Sequence, residues 1–240
     1  MKIHVQTNAD EAARAGAKFI ATEARIAVAV RGRFVLGVSG GHVPWHMFRA
    51  LADESMPWNS IHLVQVDERV APENDPSRNL THLKDSLLAH VPLRPSQIHA
   101  MPVEEKDLEE AAASYARLLQ QVAGSPPVLD LVHLGLGLDG HTASLVPGDP
   151  VVNVSDRDVA LTAFYQNHRR MTLTYPAINR ARRILWLVTG ADKQEMFQRL
   201  YREDASIPAG LILQEAAEVI ADSAAVGDTR LVQPKGVTCV

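Results

Sequence analysis

Asp139-Gly140-His141-Thr142 places an imidazole two residues after a carboxylate, just beyond the near-continuous apolar run Leu129 to Leu136. A histidine can take up or release a proton near neutral pH, and a neighbouring carboxylate can orient its ring. The same tetrapeptide also suits a turn whose histidine caps a following helix. Gly40-Gly41 follow another apolar run, Phe34 to Val38, and precede a helix start at Pro44. Backbone N–H groups there can approach an anion with no Cβ in the way, aided by the helix N-terminal dipole; an ordinary tight turn is the alternative. Asp67-Glu68-Arg69 closes a third run and offers carboxylate and cation to a polar substrate, or else forms a solvated charge cluster. Arg170 and Lys193 stand near two further strand ends. Phosphate recognition uses Arg as a fork and Lys as a point charge, although most such side chains are surface charges.

Two cofactor classes find no support. His42 and His46 are spaced i, i+4, half a metal site with no third ligand at a telling spacing, so no metal is expected. No Gly-Lys-Ser/Thr follows Gly41, and Gly135-Leu136-Gly137-Leu138-Asp139-Gly140 runs into a histidine turn rather than a dinucleotide fingerprint. No nucleotide cofactor is expected.

The elements that must position these residues alternate along the chain. Strands are predicted at about Ile3 to Gln6, Phe34 to Val38, Ile61 to Val66, Leu129 to Leu136, Val159 to Phe164, Met171 to Thr174, Ile184 to Thr189 and Val219 to Asp222. Helices are predicted from an Asp10 N-cap to about Val30, from Pro44, over Leu80 to Ala89, Leu108 to Val122 and Lys193 to Tyr201. This alternation predicts an α/β fold with a mostly parallel sheet and helices on both faces. Ligands bind beyond the carboxyl ends of such strands, so the turns at Ser39 to Pro44, Asp67 to Arg69 and Gly135 to His141 can converge on one crevice.

The chain has 240 residues, 46% hydrophobic and 22% charged, which suits one domain over residues 1–240 and excludes disordered and fibrous classes. A net charge of −4 offers no general basic excess for nucleic acid, so none is expected as a partner. The N-terminus turns polar too early for a signal peptide, and the purest apolar runs, Ile26 to Val30 and Ile184 to Val188, are far too short to span a membrane. The lone cysteine, Cys239, excludes an intrachain disulfide framework. A cytoplasmic protein without membrane contact is expected, with monomer and homodimer both open. Trp186, inside its strand run, is expected in the core; Trp45 and Trp58 suit core or interface.

Five blocks in register resemble the glucosamine-6-phosphate isomerase/6-phosphogluconolactonase family. They are Leu36-Gly37-Val38-Ser39-Gly40-Gly41 with Pro44, and Val66-Asp67-Glu68-Arg69-Val70 with Ser77-Arg78-Asn79. Gly135 to Leu145 with Pro147-Gly148, Arg170-Met171-Thr172-Leu173-Thr174 with Ile178-Asn179, and Gly190-Ala191-Asp192-Lys193 complete the set. The resemblance implies a single-domain, modified Rossmann-like fold without nucleotide or required metal, and hydrolysis of 6-phosphoglucono-δ-lactone, a sugar-phosphate lactone, to 6-phosphogluconate in the oxidative pentose phosphate pathway. It further implies that Ser39, Gly40, Gly41, Arg170 and Lys193 hold the 6-phosphate, that His141 is the general base oriented by Asp139, and that Asp67 and Arg69 line the sugar ring. Arg69 is assigned to the developing oxyanion, where a fixed cation lowers the barrier.

One departure concerns the phosphate loop. The family usually continues Ser-Gly-Gly with Ser-Thr-Pro, whereas this chain has His42-Val43-Pro44, which removes two hydroxyls and leaves backbone N–H groups and a protonated His42 as substitutes. Two rival functions are a glucosamine-6-phosphate deaminase-like isomerase and a non-catalytic sugar-phosphate binder. The deaminase branch typically carries Asn-Glu-Pro after its Asp-Gly-His block; here the stretch is Leu145-Val146-Pro147, and valine cannot relay a proton.

Overall fold

The computed structural model describes residues 1–227; Cys239 lies outside them. In chain order the elements are β1 (Lys2–Gln6), α1 (Ala9–Arg31), β2 (Phe34–Val38), α2 (His42–Leu51), β3 (Ile61–Gln65), β4 (Asp67–Arg69), α3 (Asn79–Ser86), β5 (Ile98–His99), α4 (Leu108–Ala123), β6 (Leu131–Leu134), β7 (Val159–Leu161), β8 (Arg170–Leu173), α5 (Tyr175–Asn179), β9 (Ile184–Val188), α6 (Gln194–Tyr201), β10 (Ala217–Asp222) and α7 (Ser223–Val226). Seven strands form a parallel sheet in the order β1-β10-β9-β6-β2-β3-β5. The chain leaves β2 toward β3 on one side and returns through β6 on the other. The topological switch, where α/β sheets open a crevice, therefore lies between β2 and β6.

Strand residues point alternately to the two faces of the sheet, and both faces are covered. Phe34 and Leu36 of β2 with Leu185 and Leu187 of β9 pack into the layer of Ile20, Met47 and Phe48 from α1 and α2. Val35, Ile184 and Trp186 join the opposite layer, with Tyr115 and Leu119 of α4 and Phe197 of α6. Double coverage is why these strands read as continuous apolar runs. Trp186 is fully buried, as expected; Trp45 and Trp58 are partly buried against the α1/α2 layer.

Three expectations are corrected. The N-cap of α1 is Asn8, not Asp10: the Asn8 side chain accepts from Glu11 N–H at 2.9 Å and its carbonyl from Ala12 N–H at 3.0 Å, leaving Asp10 in the first turn facing the positive helix end. Helix α2 starts at His42, two residues before Pro44, since the first turn has no acceptors for its N–H groups and tolerates proline. The third strand stops at Gln65. Val66 N–H still donates to Val38 in the main sheet at 2.9 Å, but its carbonyl accepts from Leu173 at 2.8 Å. This hands Asp67–Arg69 to a second, antiparallel sheet of order β4-β8-β7.

His133 interrupts the apolar run of β6. It is fully buried, edge-on to Phe48 with ring centroids 5.4 Å apart, and neither ring nitrogen meets a partner among the described residues. Burial pushes this imidazole from 6.5 down to about 3. The folded state thus excludes a proton that the unfolded chain takes up below its ordinary value of about 6.5. Stability through this group is intact above that pH. It should decline by about 1.4 kcal/mol per pH unit over most of the interval and level off below the folded value. Urea unfolding as a function of pH checks this: His133→Leu should shed one proton's worth of slope between roughly pH 6 and 4, and an unchanged slope would refute the assignment.

Candidate active site

The ends of β2, β6 and β9 open into a cavity of about 500 Å³, within the range of small-ligand sites. Its walls are Ser39–Pro44 after β2, Asp67 and Arg69 of β4, Asn79 of α3, Gly135–Asp139 and His141 after β6, Tyr165, Gln166 and Arg170 of the β7–β8 hairpin, Leu187 and Val188 at the end of β9, and Thr189 with Lys193 after it. All nine residues singled out from the sequence (Ser39, Gly40, Gly41, Asp67, Arg69, Asp139, His141, Arg170 and Lys193) border it.

His141 is held by the turn that precedes it. Gly137 N–H donates to the His141 carbonyl at 2.8 Å, Gly140 N–H to the Gly137 carbonyl at 3.1 Å, and Thr142 Oγ1 to the Gly135 carbonyl at 2.9 Å. No helix follows; residues 142–145 close a tight bridge instead, so the helix-capping role is set aside. Asp139 Oδ1 accepts from the His141 backbone at 3.1 Å and lies 2.6 Å from Nδ1. That contact holds the Asp139 carboxyl well below the usual carboxylate range. An ionised Asp139 only accepts, so Nδ1 carries the ring proton and Nε2 is left as the basic nitrogen.

The ring lies against the Gly137 backbone, where a Cβ would fall 2.0 Å from Nδ1 and 2.7 Å from Asp139 Oδ1. Gly137→Ala must therefore displace the imidazole. With turnover measured beside circular dichroism, we expect kcat to fall by about 10²-fold in a protein that still folds; wild-type kcat would show that the ring position is not critical.

Asp67 and Glu68 are both buried, which overturns the solvated-cluster alternative. Asp67 takes a hydrogen bond from Ser144 Oγ at 2.7 Å, and Arg170 N–H approaches the same hydroxyl at 3.5 Å. Arg69 donates to the Ser77 carbonyl and to Asn79 Oδ1, each at 2.7 Å. Gly40 lies beside Asn79: a Cβ there would meet Asn79 Oδ1 at 1.9 Å, so only glycine lets the β2 loop close on α3. Glu68 points away from the cavity into a cluster of donors.

Burial pulls down the pKa of both Arg170 and Lys193, while Asp67 on Arg170 and Asp192 on Lys193 act in the opposite direction. Arg170 Nε and Ser39 Oγ, atoms of two residues that border the cavity, are buried without a partner among the described residues. His42 borders the cavity and its ring lies 4.9 Å from that of His46, but among the described residues no three His, Cys, Asp or Glu side chains come together as a metal site.

Sequence reasoning did not single out Ser144, Tyr165 or Gln166, and it gave Asn79 no role. Ser144 and Asn79 sit inside the matched blocks. Tyr165 and Gln166 follow a run read as strand to Phe164, and the Gln166-Asn167 pair was the available turn signal.

The family model described as "Glucosamine-6-phosphate isomerases/6-phosphogluconolactonase" matches residues 7–221. A protein named 6-phosphogluconolactonase from Synechocystis sp. is 37% identical over 190 residues, covering 78% of this chain and 79% of that protein. The crystal structure of 6-phosphogluconolactonase from Thermotoga maritima superposes with a TM-score of 0.82 at 23% identity, over 92% of this chain and 98% of that one. A monomeric glucosamine-6-phosphate deaminase superposes equally well, TM-score 0.82 at 21% identity over 94% and 98%, so the fold alone does not separate the two chemistries. With the family model spanning nearly the whole described chain and a relative of this identity over most of its length, the chain belongs to the glucosamine-6-phosphate isomerase/6-phosphogluconolactonase family.

Proposed function

We propose that this chain hydrolyses 6-phosphoglucono-δ-lactone to 6-phosphogluconate, with His141 as the general base. The observation that carries the reading is one cavity in which a carboxylate-oriented imidazole faces the cations Arg69, Arg170 and Lys193 and the N-terminus of α2. A base beside an anion cradle fits a phosphorylated ester better than a neutral sugar. The lactonase named in Synechocystis supports the same activity.

In this mechanism Arg170, Lys193 and the backbone N–H groups of the Gly40-Gly41 loop hold the phosphate. Nε2 of His141 takes a proton from water as the water oxygen attacks the lactone carbonyl, and Asp139 stabilises the imidazolium that forms. Negative charge then develops on the carbonyl oxygen, and Arg69, a cation on the cavity wall, is assigned to stabilise it. Collapse of the tetrahedral intermediate breaks the bond to the ring oxygen, and the imidazolium returns its proton to that oxygen. No covalent enzyme intermediate is needed, because a lactone is an activated ester and positioning with one base suffices.

The isomerase alternative lacks a relay in this chain: Val146 is a buried hydrocarbon where that branch typically carries a glutamate. Hydrolysis of freshly made lactone, followed by NMR with EDTA present and the spontaneous rate subtracted, is the test. Acceleration is expected. No acceleration by folded protein, together with turnover of glucosamine 6-phosphate, would overturn the reading.

A further inference from the structure

We infer that Tyr165, at the tip of the β7–β8 hairpin, is a positioning residue that fixes the Asp139–His141 pair and ties it to Arg170. This deepens the lactonase reading and rests on it.

The tip is a two-residue loop. Tyr165 N–H donates to the His168 carbonyl at 2.9 Å, and the central residues Gln166 and Asn167 have φ of 48° and 68°. Two left-handed residues match the twist of a tight hairpin. Asparagine adopts this conformation readily, whereas glutamine does so at a conformational cost, so the surroundings must hold Gln166 there. His168 helps, with Nε2 3.3 Å from Ser77 Oγ and Nδ1 3.1 Å from the Gln166 carbonyl.

From this anchored tip one phenol reaches four groups of the site. Its hydroxyl donates to Asp139 Oδ2 at 2.8 Å, while Oδ1 of the same carboxylate holds His141. Its oxygen accepts from Gln166 Nε2 at 3.2 Å, and Gln166 Oε1 accepts from Arg170 at 3.1 Å. The Arg170 guanidinium stacks 4.9 Å above the phenol ring, and the His141 ring meets it edge-on with centroids 5.5 Å apart. An unbroken chain of hydrogen bonds thus runs from Arg170 through Gln166, Tyr165 and Asp139 to His141. Burial and Asp139 push the phenol up to about 12, so it remains an O–H donor at any working pH.

Each Asp139 oxygen therefore has its own donor, and the carboxylate cannot rotate away from the imidazole. Removing the phenol hydroxyl frees Oδ2 and loosens the ring's orientation. It also leaves the Asp139 charge less neutralised, so the carboxylate favours imidazolium more strongly. The other charges that act on Asp139, namely Arg170 and Lys193, stay in place.

Tyr165→Phe separates these effects, because it keeps the ring under Arg170. We expect kcat to fall about tenfold with KM unchanged, and the acidic limb of kcat/KM to move to higher pH. The His141 ring signals in an NMR titration should move the same way, a readout that needs no substrate. Tyr165→Leu also removes the stacking surface and should raise KM. Wild-type kcat together with an unmoved His141 titration in Tyr165→Phe would overturn the inference. Absence of lactonase activity in the wild type would instead strike the functional reading, and the NMR titration would still decide whether Tyr165 positions His141.

Discussion

His141→Ala should lower kcat for lactone opening by about 10²- to 10⁴-fold, the usual contribution of a positioned general base, with KM changed little. The split follows from the architecture. The residues proposed to hold the phosphate lie on the β2 loop, β8 and the turn after β9, whereas His141 is fixed by the turn after β6. Removing the imidazole leaves the anion cradle intact, so ground-state binding survives while the attacking water loses its acceptor. Residual acceleration should come from Arg69 and from orientation alone. Turnover of purified variant and wild type, with circular dichroism to show that both fold, decides the matter. A variant with wild-type kcat would remove His141 from the chemistry, and one that lost only affinity would make it a binding residue.

What could be read in advance divides along physical lines. The parallel strands were legible because both faces of the main sheet are buried, and the apolar runs Phe34 to Val38 and Ile184 to Val188 carry that in their composition. The turns that line the cavity follow directly from those strands, so Asp139, His141 and the Gly40-Gly41 loop could be placed beside one crevice. The second sheet was not legible as such. Asp67–Arg69 has no strand-like pattern, and its pairing with β8 arises only because Val66 is shared between two sheets. Tyr165 was missed for a related reason: its importance lies in contacts to Asp139, on the turn after β6, and to Arg170, across the hairpin, both invisible to local periodicity. Neither reading of the Asp67-Glu68-Arg69 triplet, substrate contact or solvated cluster, gave Glu68 a structural role, because three consecutive charges usually face water and only the fold brings the donors to its carboxylate.

Glu68→Ala should destabilise the fold by about 3–5 kcal/mol, a large share of the stability of an ordinary domain. The carboxylate is fully buried, and every lone pair has work. Oε1 accepts from the backbone N–H groups of Arg69 at 2.8 Å and Asn79 at 2.7 Å; Oε2 accepts from Leu80 N–H at 2.8 Å and Gln65 Nε2 at 2.9 Å. Arg78, also buried, places Nε 3.6 Å from Oε2. Helix α3 has no capping side chain at its own N-cap, Arg78, so Glu68 supplies the cap from β4 and satisfies the first two N–H groups of the helix. Truncation strands those donors and leaves Arg78 with only its outer partner, Glu104. Glu68→Gln keeps the shape but turns one acceptor into a donor facing other donors, so it should recover only part of the loss. The damage should reach the cavity as well. Asn79, once released, no longer braces Arg69 or donates to the Asp67 carbonyl at 2.9 Å. Urea unfolding and lactone turnover on the same samples check both effects. Wild-type stability in Glu68→Ala would mean that water replaces the carboxylate at no cost, and full turnover in a destabilised variant would show that Arg69 keeps its place without the brace.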